Sequence, residues 1–308
     1  MKSLDVLAMG EPMLEFSQVE RGGETLFLPG YGGDTSNAAV SAARNGAKAA
    51  YFTALGDDPF GRQILGLWER EGVDASTVIR RPGAHTGIYF ISHDGEGHHF
   101  SYLRAGSAAS LVSPGEVPAA QVAAARVLHV SAISQAISDS ACDAVFHALK
   151  VAREAGTAVC YDTNLRLRLW PLERARAIVH AAVAMSDIAR PGLDDARQLT
   201  GLHSPEEICR FYLSLGCRIV ALTMGVDGAM VATPGETRVI PAHKVAAVDA
   251  TGAGDAFDGA FLAQWLRSGD PFASADYANA AAALSTLGYG AVAPLPRRAD
   301  VEAFLAAC

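Results

Sequence analysis

The stretch Asp249-Ala250-Thr251-Gly252-Ala253-Gly254-Asp255 is where residue types and spacing in this 308-residue chain come closest to chemistry. It runs into the helix-prone Ala256-Phe257-Asp258-Gly259-Ala260-Phe261-Leu262, so its small residues stand at a helix start. There the backbone N–H groups are unobstructed and the helix dipole favours an anion, so a phosphate fits. Asp255, in the first turn, is placed to accept a proton from an attacking hydroxyl. The same residues also fit a plain turn shaped by Gly252 and Gly254, with Asp255 as an ordinary helix cap. Two other nucleotide loops are absent. No G-x-x-x-x-G-K-[ST] occurs, and Phe257 stands where the third glycine of G-x-G-x-x-G would fall.

Elements that would position this stretch alternate along the chain, as in a parallel sheet flanked by helices. Apolar runs predict strands at Leu4 to Met9, Ala49 to Ala54, Val127 to Val130, Ala158 to Tyr161, Ile188 to Ala189 and Ile219 to Leu222. Helical patterns lie between them near Thr35 to Asn45, Gly61 to Glu71, Asp139 to Glu154, Leu172 to Met185 and Glu206 to Leu215. The last third is largely helical, over Gly252 to Leu266, Pro271 to Leu287 and Arg297 to Ala306. Two segments break the rhythm: Glu11 to Tyr31, and Thr86 to Leu103 with a turn at Asp94-Gly95-Glu96-Gly97. Together they read as a small antiparallel flap that would cover a site or pair with its copy in a dimer. An ordinary surface hairpin is the alternative.

With 50% hydrophobic and 19% charged residues, the chain has enough apolar surface for one large core and a small appendage. Residues 1–308 are therefore read as one domain, with a lid from about 11–34 and 85–105 and a core from the remainder. No charged stretch followed by an apolar one opens the chain, and no apolar run reaches the roughly 18 residues a membrane span needs. The expectation is a soluble, cytoplasmic protein with no membrane partner. A net charge of −8 argues against nucleic acid, so an anionic substrate must meet locally placed basic residues. Cys142, Cys160, Cys209, Cys217 and Cys308 form no C-x-x-C pair and read as reduced, mostly buried thiols. His98 and His99 are neighbours on a strand and face opposite sides, so exposed hairpin residues are expected there rather than a metal site.

The glycine stretch resembles the C-terminal signature of the ribokinase-like, or PfkB, carbohydrate kinases. Gly32-Gly33-Asp34-Thr35-Ser36-Asn37 resembles their N-terminal glycine motif, and Thr223-Met224-Gly225-Val226-Asp227-Gly228 their T-x-G-x-x-G element beside the nucleotide. The three motifs occur in the family's order and span nearly the whole chain. The resemblance implies an α/β fold, a ribokinase-like three-layer α-β-α sandwich with a small β-sheet lid, and an ATP-dependent kinase. Asp255 would be the base, and the N–H groups of Gly252, Ala253 and Gly254 would hold the γ-phosphate. Thr223, Gly225 and Gly228 would line the ATP site, with Asn279 near the adenine, although Asn279 also fits a polar position on an alanine-rich helix. The family's N-x-x-E motif organises Mg²⁺ through water. Here Gly192-Leu193-Asp194-Asp195 stands in its place, so the asparagine is missing and Asp195 replaces the glutamate, a position that equally suits a helix start. Some relatives also hold a monovalent cation, K⁺, around the position of Asp249.

The acceptor side is read from Gly33, Asp34 and Asn37, which lie where relatives hydrogen-bond sugar hydroxyls. Two further stretches, Tyr102-Leu103-Arg104 and Asp162-Thr163-Asn164-Leu165-Arg166, put arginine beside the expected site, and a guanidinium suits a carboxylate. Within the family these details resemble 2-keto-3-deoxygluconate kinases. By that resemblance Arg166 and Arg104, with the rings of Tyr89 and Tyr102, would hold the keto acid, and its 6-hydroxyl would face Asp255. A fructokinase or other neutral-sugar kinase is the alternative, as is a non-catalytic sensor on the same scaffold. A flap with exposed apolar residues favours a homo-oligomer.

Overall fold

The structure, a computed structural model, describes residues 2–94 and 97–307. Among these residues the main sheet has eight strands, in the order Thr237–Ile240, Ala229–Ala232, Ile219–Thr223, Ile188–Arg190, Ala158–Asp162, Ala125–Ser131, Leu4–Met9 and Ala49–Phe52. From Ile219–Thr223 to Ala49–Phe52 all neighbours are parallel. Such strands are buried on both faces, which is why they read as continuous apolar runs. Successive residues alternate between the two faces. Val6 and Ala8 pack with Tyr51, Trp68, Phe257 and Phe261, whereas Leu7 and Met9 pack with Leu128, Tyr161 and Leu149. Helices cover both faces, giving the three-layer α-β-α arrangement.

The other edge of this sheet differs from the all-parallel expectation. Ala229–Ala232 and Thr237–Ile240 form an antiparallel hairpin against Ile219–Thr223, turned at Thr233-Pro234-Gly235-Glu236. The strand expected to run through Ala54 stops at Phe52, and Ala54–Gly56 instead pairs with Ile79–Arg81 in a separate two-stranded sheet.

A four-stranded sheet stands apart, in the order Glu24–Gly32, Met13–Arg21, Ile88–Asp94 and Gly97–Leu103. Its outer pairs are antiparallel hairpins, but its central pair, Met13–Arg21 with Ile88–Asp94, is parallel. The sheet is therefore mixed, not the antiparallel flap expected. A parallel pair needs a crossover connection, supplied here by residues 22–87, the strand Glu24–Gly32 included. Gly95 and Glu96 of the expected turn, the side chain of His98, and Cys308 lie outside the described residues; the other four cysteines are free and buried. Leu26, Phe27, Leu28, Phe100 and Leu103 leave apolar surface exposed on this sheet. No helix among the described residues is long and apolar enough to cross a membrane.

Two helices on one face of the main sheet set the geometry of the glycine stretch. Asp34–Arg44 follows the N-terminal glycine motif, and Ala253–Ser268 follows Gly252. They cross at Gly259, where an added Cβ would lie 2.3 Å from the Ala38 carbonyl oxygen and 2.4 Å from the Ser41 Cβ. The Ser41 hydroxyl donates to the Ala256 carbonyl at 2.9 Å at the same crossing. Because the clash is with backbone, Gly259→Ala should force the helices apart and destabilise the fold by about 1–3 kcal/mol, the usual cost of overpacking. Denaturant unfolding of the variant measures this, and wild-type stability would contradict the close crossing.

Candidate active site

Gly252 begins the site because no other residue suits it: its φ is +75°, and an added Cβ would lie 2.9 Å from Ala291. Helix Ala253–Ser268 starts on it with no side-chain cap. The Ala253 N–H donates to the Ala250 carbonyl at 3.2 Å. Among the described residues the amides of Gly252, Gly254 and Asp255 make no backbone hydrogen bond at the helix start, so of the three amides expected to hold an anion only that of Ala253 is already engaged. Asp249 supports the stretch from below. One carboxylate oxygen accepts from the Thr251 N–H at 2.9 Å and its hydroxyl at 2.7 Å, and the other accepts from the Gly290 N–H at 2.9 Å.

Asp255 does not cap its helix. Its carboxylate accepts from Asn37 Nδ2 at 2.8 Å, across the helix crossing. Part of the residue stays open to the site while its carboxyl is enclosed by protein, and that burial, with Asp34 and Asp162 nearby, pushes it up to about 8 despite the Asn37 bond and Arg190. Asn37 Oδ1 is buried with no partner. Asp34 accepts from its neighbour's N–H, Thr35, at 2.8 Å and from Asn164 Nδ2 at 3.0 Å. Gly33, at φ +104°, brings this turn so close to Glu11 that a Cβ would sit 2.5 Å from its carbonyl oxygen. Asp34 and Asn37 of one helix thus form one cluster with Asp255, which lies far from them in sequence.

The lid-side residues are more committed than the sequence suggests. Arg104 pairs with Glu11, whose side chain is fully buried, and Ser107 donates to the same carboxylate at 2.5 Å. The Tyr89 hydroxyl donates to Glu15 at 2.5 Å, and its ring stacks on Tyr102 at 5.6 Å. Tyr102 itself is exposed. Arg166 is different. It is exposed, makes no ion pair among the described residues, and donates only to the Leu165 carbonyl, at 2.8 Å. Asp195 accepts from the Leu165 N–H at 2.9 Å and so fixes the loop that carries Arg166. Burial raises the Asp195 carboxyl above its ordinary range, while Arg166 and Arg190 pull it back.

On the other side of the glycine stretch, Thr223, Gly225 and Asp195 share an open groove of about 480 Å³ with Gly192, Asp194 and Asp227. Gly228 turns the chain at φ +92° and packs where a Cβ would meet the Ile240 carbonyl at 2.2 Å. Asn279 Nδ2 donates to the Ile240 and Pro241 carbonyls, both at 3.1 Å, so its amide nitrogen ties down this segment. Between groove and cluster lies a residue the sequence reading passed over. Arg190, buried at the end of its strand, reaches Asp162, Asp258 and Thr223. Asp258 was legible as the residue one turn after Asp255. Nothing local marked Arg190 or Glu11 beyond their place at strand ends.

The family model described as "pfkB family carbohydrate kinase" matches residues 6–298. The 2-dehydro-3-deoxygluconokinase of Thermoproteus tenax is 36% identical, over 96% of this chain and 93% of that one. Fructokinase-1 of Zea mays is 32% identical, over 96% of each. Among solved structures, a fructokinase from Vibrio cholerae O395 in a fructose-, ADP- and calcium-bound form superposes with a TM-score of 0.87 at 28% identity, covering 98% of this chain and 99% of that one.

The raised Asp255 carboxyl makes a stability prediction. Between about pH 4 and pH 8 the folded chain holds a proton on Asp255 that the unfolded chain has lost, so this group weakens the fold progressively as pH rises. Asp255→Asn removes that loss, and its stability gain over wild type should grow by up to about 1.4 kcal/mol per pH unit across the window. Thermal melts at pH 5 and pH 8.5, or about those values, check it; a gain that does not increase with pH would contradict the burial of this carboxyl.

Proposed function

The chain belongs to the pfkB family of carbohydrate kinases, and from that premise we propose that it transfers the γ-phosphate of ATP to the 6-hydroxyl of 2-dehydro-3-deoxy-D-gluconate. The observation that carries the acceptor class is Arg166. An exposed guanidinium that forms no ion pair among the described residues and feels Asp195 only at longer range, on a loop held beside Asp34 and Asp195, is a ready anchor for a carboxylate. Arg104 is reassigned. With Glu11 already holding its charge, it stiffens the wall under Tyr102 instead of binding the acid directly.

In this reading the acceptor's carboxylate lies at Arg166, its hydroxyls meet Asp34, Asn37 and the backbone at Gly33, and its distal hydroxyl faces Asp255. The buried, unpartnered Asn37 Oδ1 is suited to accept from one hydroxyl. Asp255 takes the hydroxyl proton as the new O–P bond forms and the bond to the departing ADP oxygen breaks. The amides of Gly252, Gly254 and Asp255, at the positive end of their helix, stabilise the charge on the transferring phosphoryl group. The groove beside Thr223, Gly225 and Gly228 takes the nucleotide.

Among the described residues no three acidic, histidine or cysteine side chains gather to hold a metal. Mg²⁺ fits here as a companion of ATP, held mainly by phosphates and water with Asp195 at its edge. Bound so, it would offset phosphate charge. A K⁺ at Asp249 fits less well, because three hydrogen bonds already use most of that carboxylate's roughly four lone pairs. No step is assigned to it. A second copy of the chain is the partner proposed for the exposed apolar surface of the four-stranded sheet.

A neutral-sugar kinase is the second reading. It is favoured by the paired state of Arg104 and by the fructokinase relatives. Arg166→Ala separates the two. A keto-acid kinase should lose about 10- to 100-fold in KM for the acid, the worth of a charged hydrogen bond, with kcat for ATP turnover less affected. ADP release with a panel of sugars and sugar acids reads this; if fructose outruns the keto acid, the acceptor assignment fails while the kinase remains. Because Asp255 works only without its proton, kcat/KM should also climb with pH until about 8. A pH–rate profile that is flat between about pH 6 and 9 would remove Asp255 as the base.

A further inference from the structure

Arg190 is the only lysine or arginine among the described residues that is as little as 6% exposed. It stands at the end of strand Ile188–Arg190, beneath the start of helix Ala253–Ser268. Its Nη2 donates to Asp162 at 2.7 Å and to Asp258 at 2.9 Å, its Nη1 donates to the Thr223 hydroxyl at 3.2 Å, and its Nε pairs with the other Asp258 oxygen. The same Nη2 would be only 3.3 Å from a Cβ added to Gly254, so the guanidinium lies directly under the backbone of the proposed anion hole.

Each partner belongs to a different part of the machinery. Thr223 opens the motif at the nucleotide groove. Asp162 ends the strand that leads to Asn164 and Arg166, and its other oxygen accepts from the Asn164 N–H at 3.1 Å. Asp258 sits one turn after Asp255 on the same helix. A planar fork with fixed donor directions holds three such partners at fixed relative positions, which a flexible ammonium does not.

We propose that Arg190 is a positioning residue for phosphoryl transfer, a single buried guanidinium that locks the nucleotide motif, the acceptor-side strand end and the helix of Asp255 in one register. It touches neither substrate. Its effect is on the alignment of Asp255 and the Gly254 amide with the two reactants, and misalignment far from the bonds being made is costly in rate. Burial works against the charged guanidinium, but Asp162 and Asp258 outweigh it and hold Arg190 firmly protonated. The burial of Asp258 in turn pushes its carboxyl well above the ordinary range, with Arg190 drawing it back.

Arg190→Lys keeps the charge and loses the fork. Assayed with whichever sugar the wild type turns over fastest, it should lose kcat by about 10- to 100-fold, with KM for ATP and for the sugar within about threefold of wild type. Asp258→Asn, which keeps the shape and removes one arm of the lock, should show the same split. Leu149→Ala, a truncation in the core on the opposite face of the sheet, should lower Tm yet leave kcat at wild-type level well below that Tm. The proposal is overturned if Arg190→Lys keeps kcat within about twofold, if its loss lies in KM alone, or if Leu149→Ala loses kcat equally. Should Arg190→Lys fail to fold, an unchanged kcat in Asp258→Asn overturns it. The inference rests on the proposed site at Gly252 to Asp255. An active Asp255→Asn would remove that site, whereas an inactive one beside a wild-type-like Arg190→Lys removes only the role of Arg190.

Discussion

The close crossing of helices Asp34–Arg44 and Ala253–Ser268 is the constraint on which the rest of the site depends. Gly259 lets the Ala38 carbonyl and Ser41 come within backbone contact, and only at that separation does Asn37 reach Asp255 with a 2.8 Å hydrogen bond. One helix carries the groups proposed for the acceptor, the other the base and the anion-binding amides. In the proposed reaction their spacing would set that between the attacking hydroxyl and the phosphoryl group, and two packed backbones hold it more rigidly than any side-chain contact would. The crossing also explains why Asp255 is enclosed. A carboxylate pressed between two helices loses water, and its raised proton affinity is the electrostatic consequence of the packing.

What could be read from the sequence was whatever the chain expresses locally. A buried parallel strand is an apolar run, so Leu4–Met9, Ala158–Asp162 and Ile219–Thr223 stood out within a residue or two. A glycine-rich helix start shows itself in residue types, so Gly252 to Asp255 could be singled out before any geometry was known. The features missed are those made by partners far apart in sequence. Whether Met13–Arg21 pairs parallel or antiparallel with Ile88–Asp94 is decided by the path of the intervening chain, not by either strand. The hairpin of Ala229–Ala232 and Thr237–Ile240 did leave a trace, the Pro-Gly turn at 234–235, but its strands are too short to assert themselves beside a longer apolar run.

The arginines show the same limit at the level of the site. Arg104 and Arg166 look equivalent in sequence, each near the end of a strand-like run beside polar residues. The structure separates them through Glu11, which lies 93 positions from Arg104 and takes up its charge, while among the described residues Arg166 hydrogen-bonds a backbone carbonyl and forms no ion pair. Arg190, by contrast, lies just past the apolar pair Ile188 to Ala189 and was not singled out. Its proposed role comes from Asp162 and Asp258, which are 28 and 68 positions away and reach it only when the sheet and helix Ala253–Ser268 are assembled. Charge in a sequence says where a cation is, and only the fold says whether it is still available.

That availability bears on how an anionic acceptor enters a site already rich in negative charge. Asp34 and Asp162 act on Asp255, and Asp162 and Asp255 act on Asp258, around the helix start, with Arg190 as the guanidinium set among them. A second carboxylate brought next to Asp255 would raise its proton affinity further and weaken it as a base. A sugar acid can react here only if its charge stays far from the hydroxyl being phosphorylated. Arg166 provides such a place, on a loop tethered by Asp195 and outside the buried cluster. An acceptor with its carboxylate at one end and a primary hydroxyl at the other would satisfy both demands at once, which is the physical ground for proposing reaction at the distal hydroxyl.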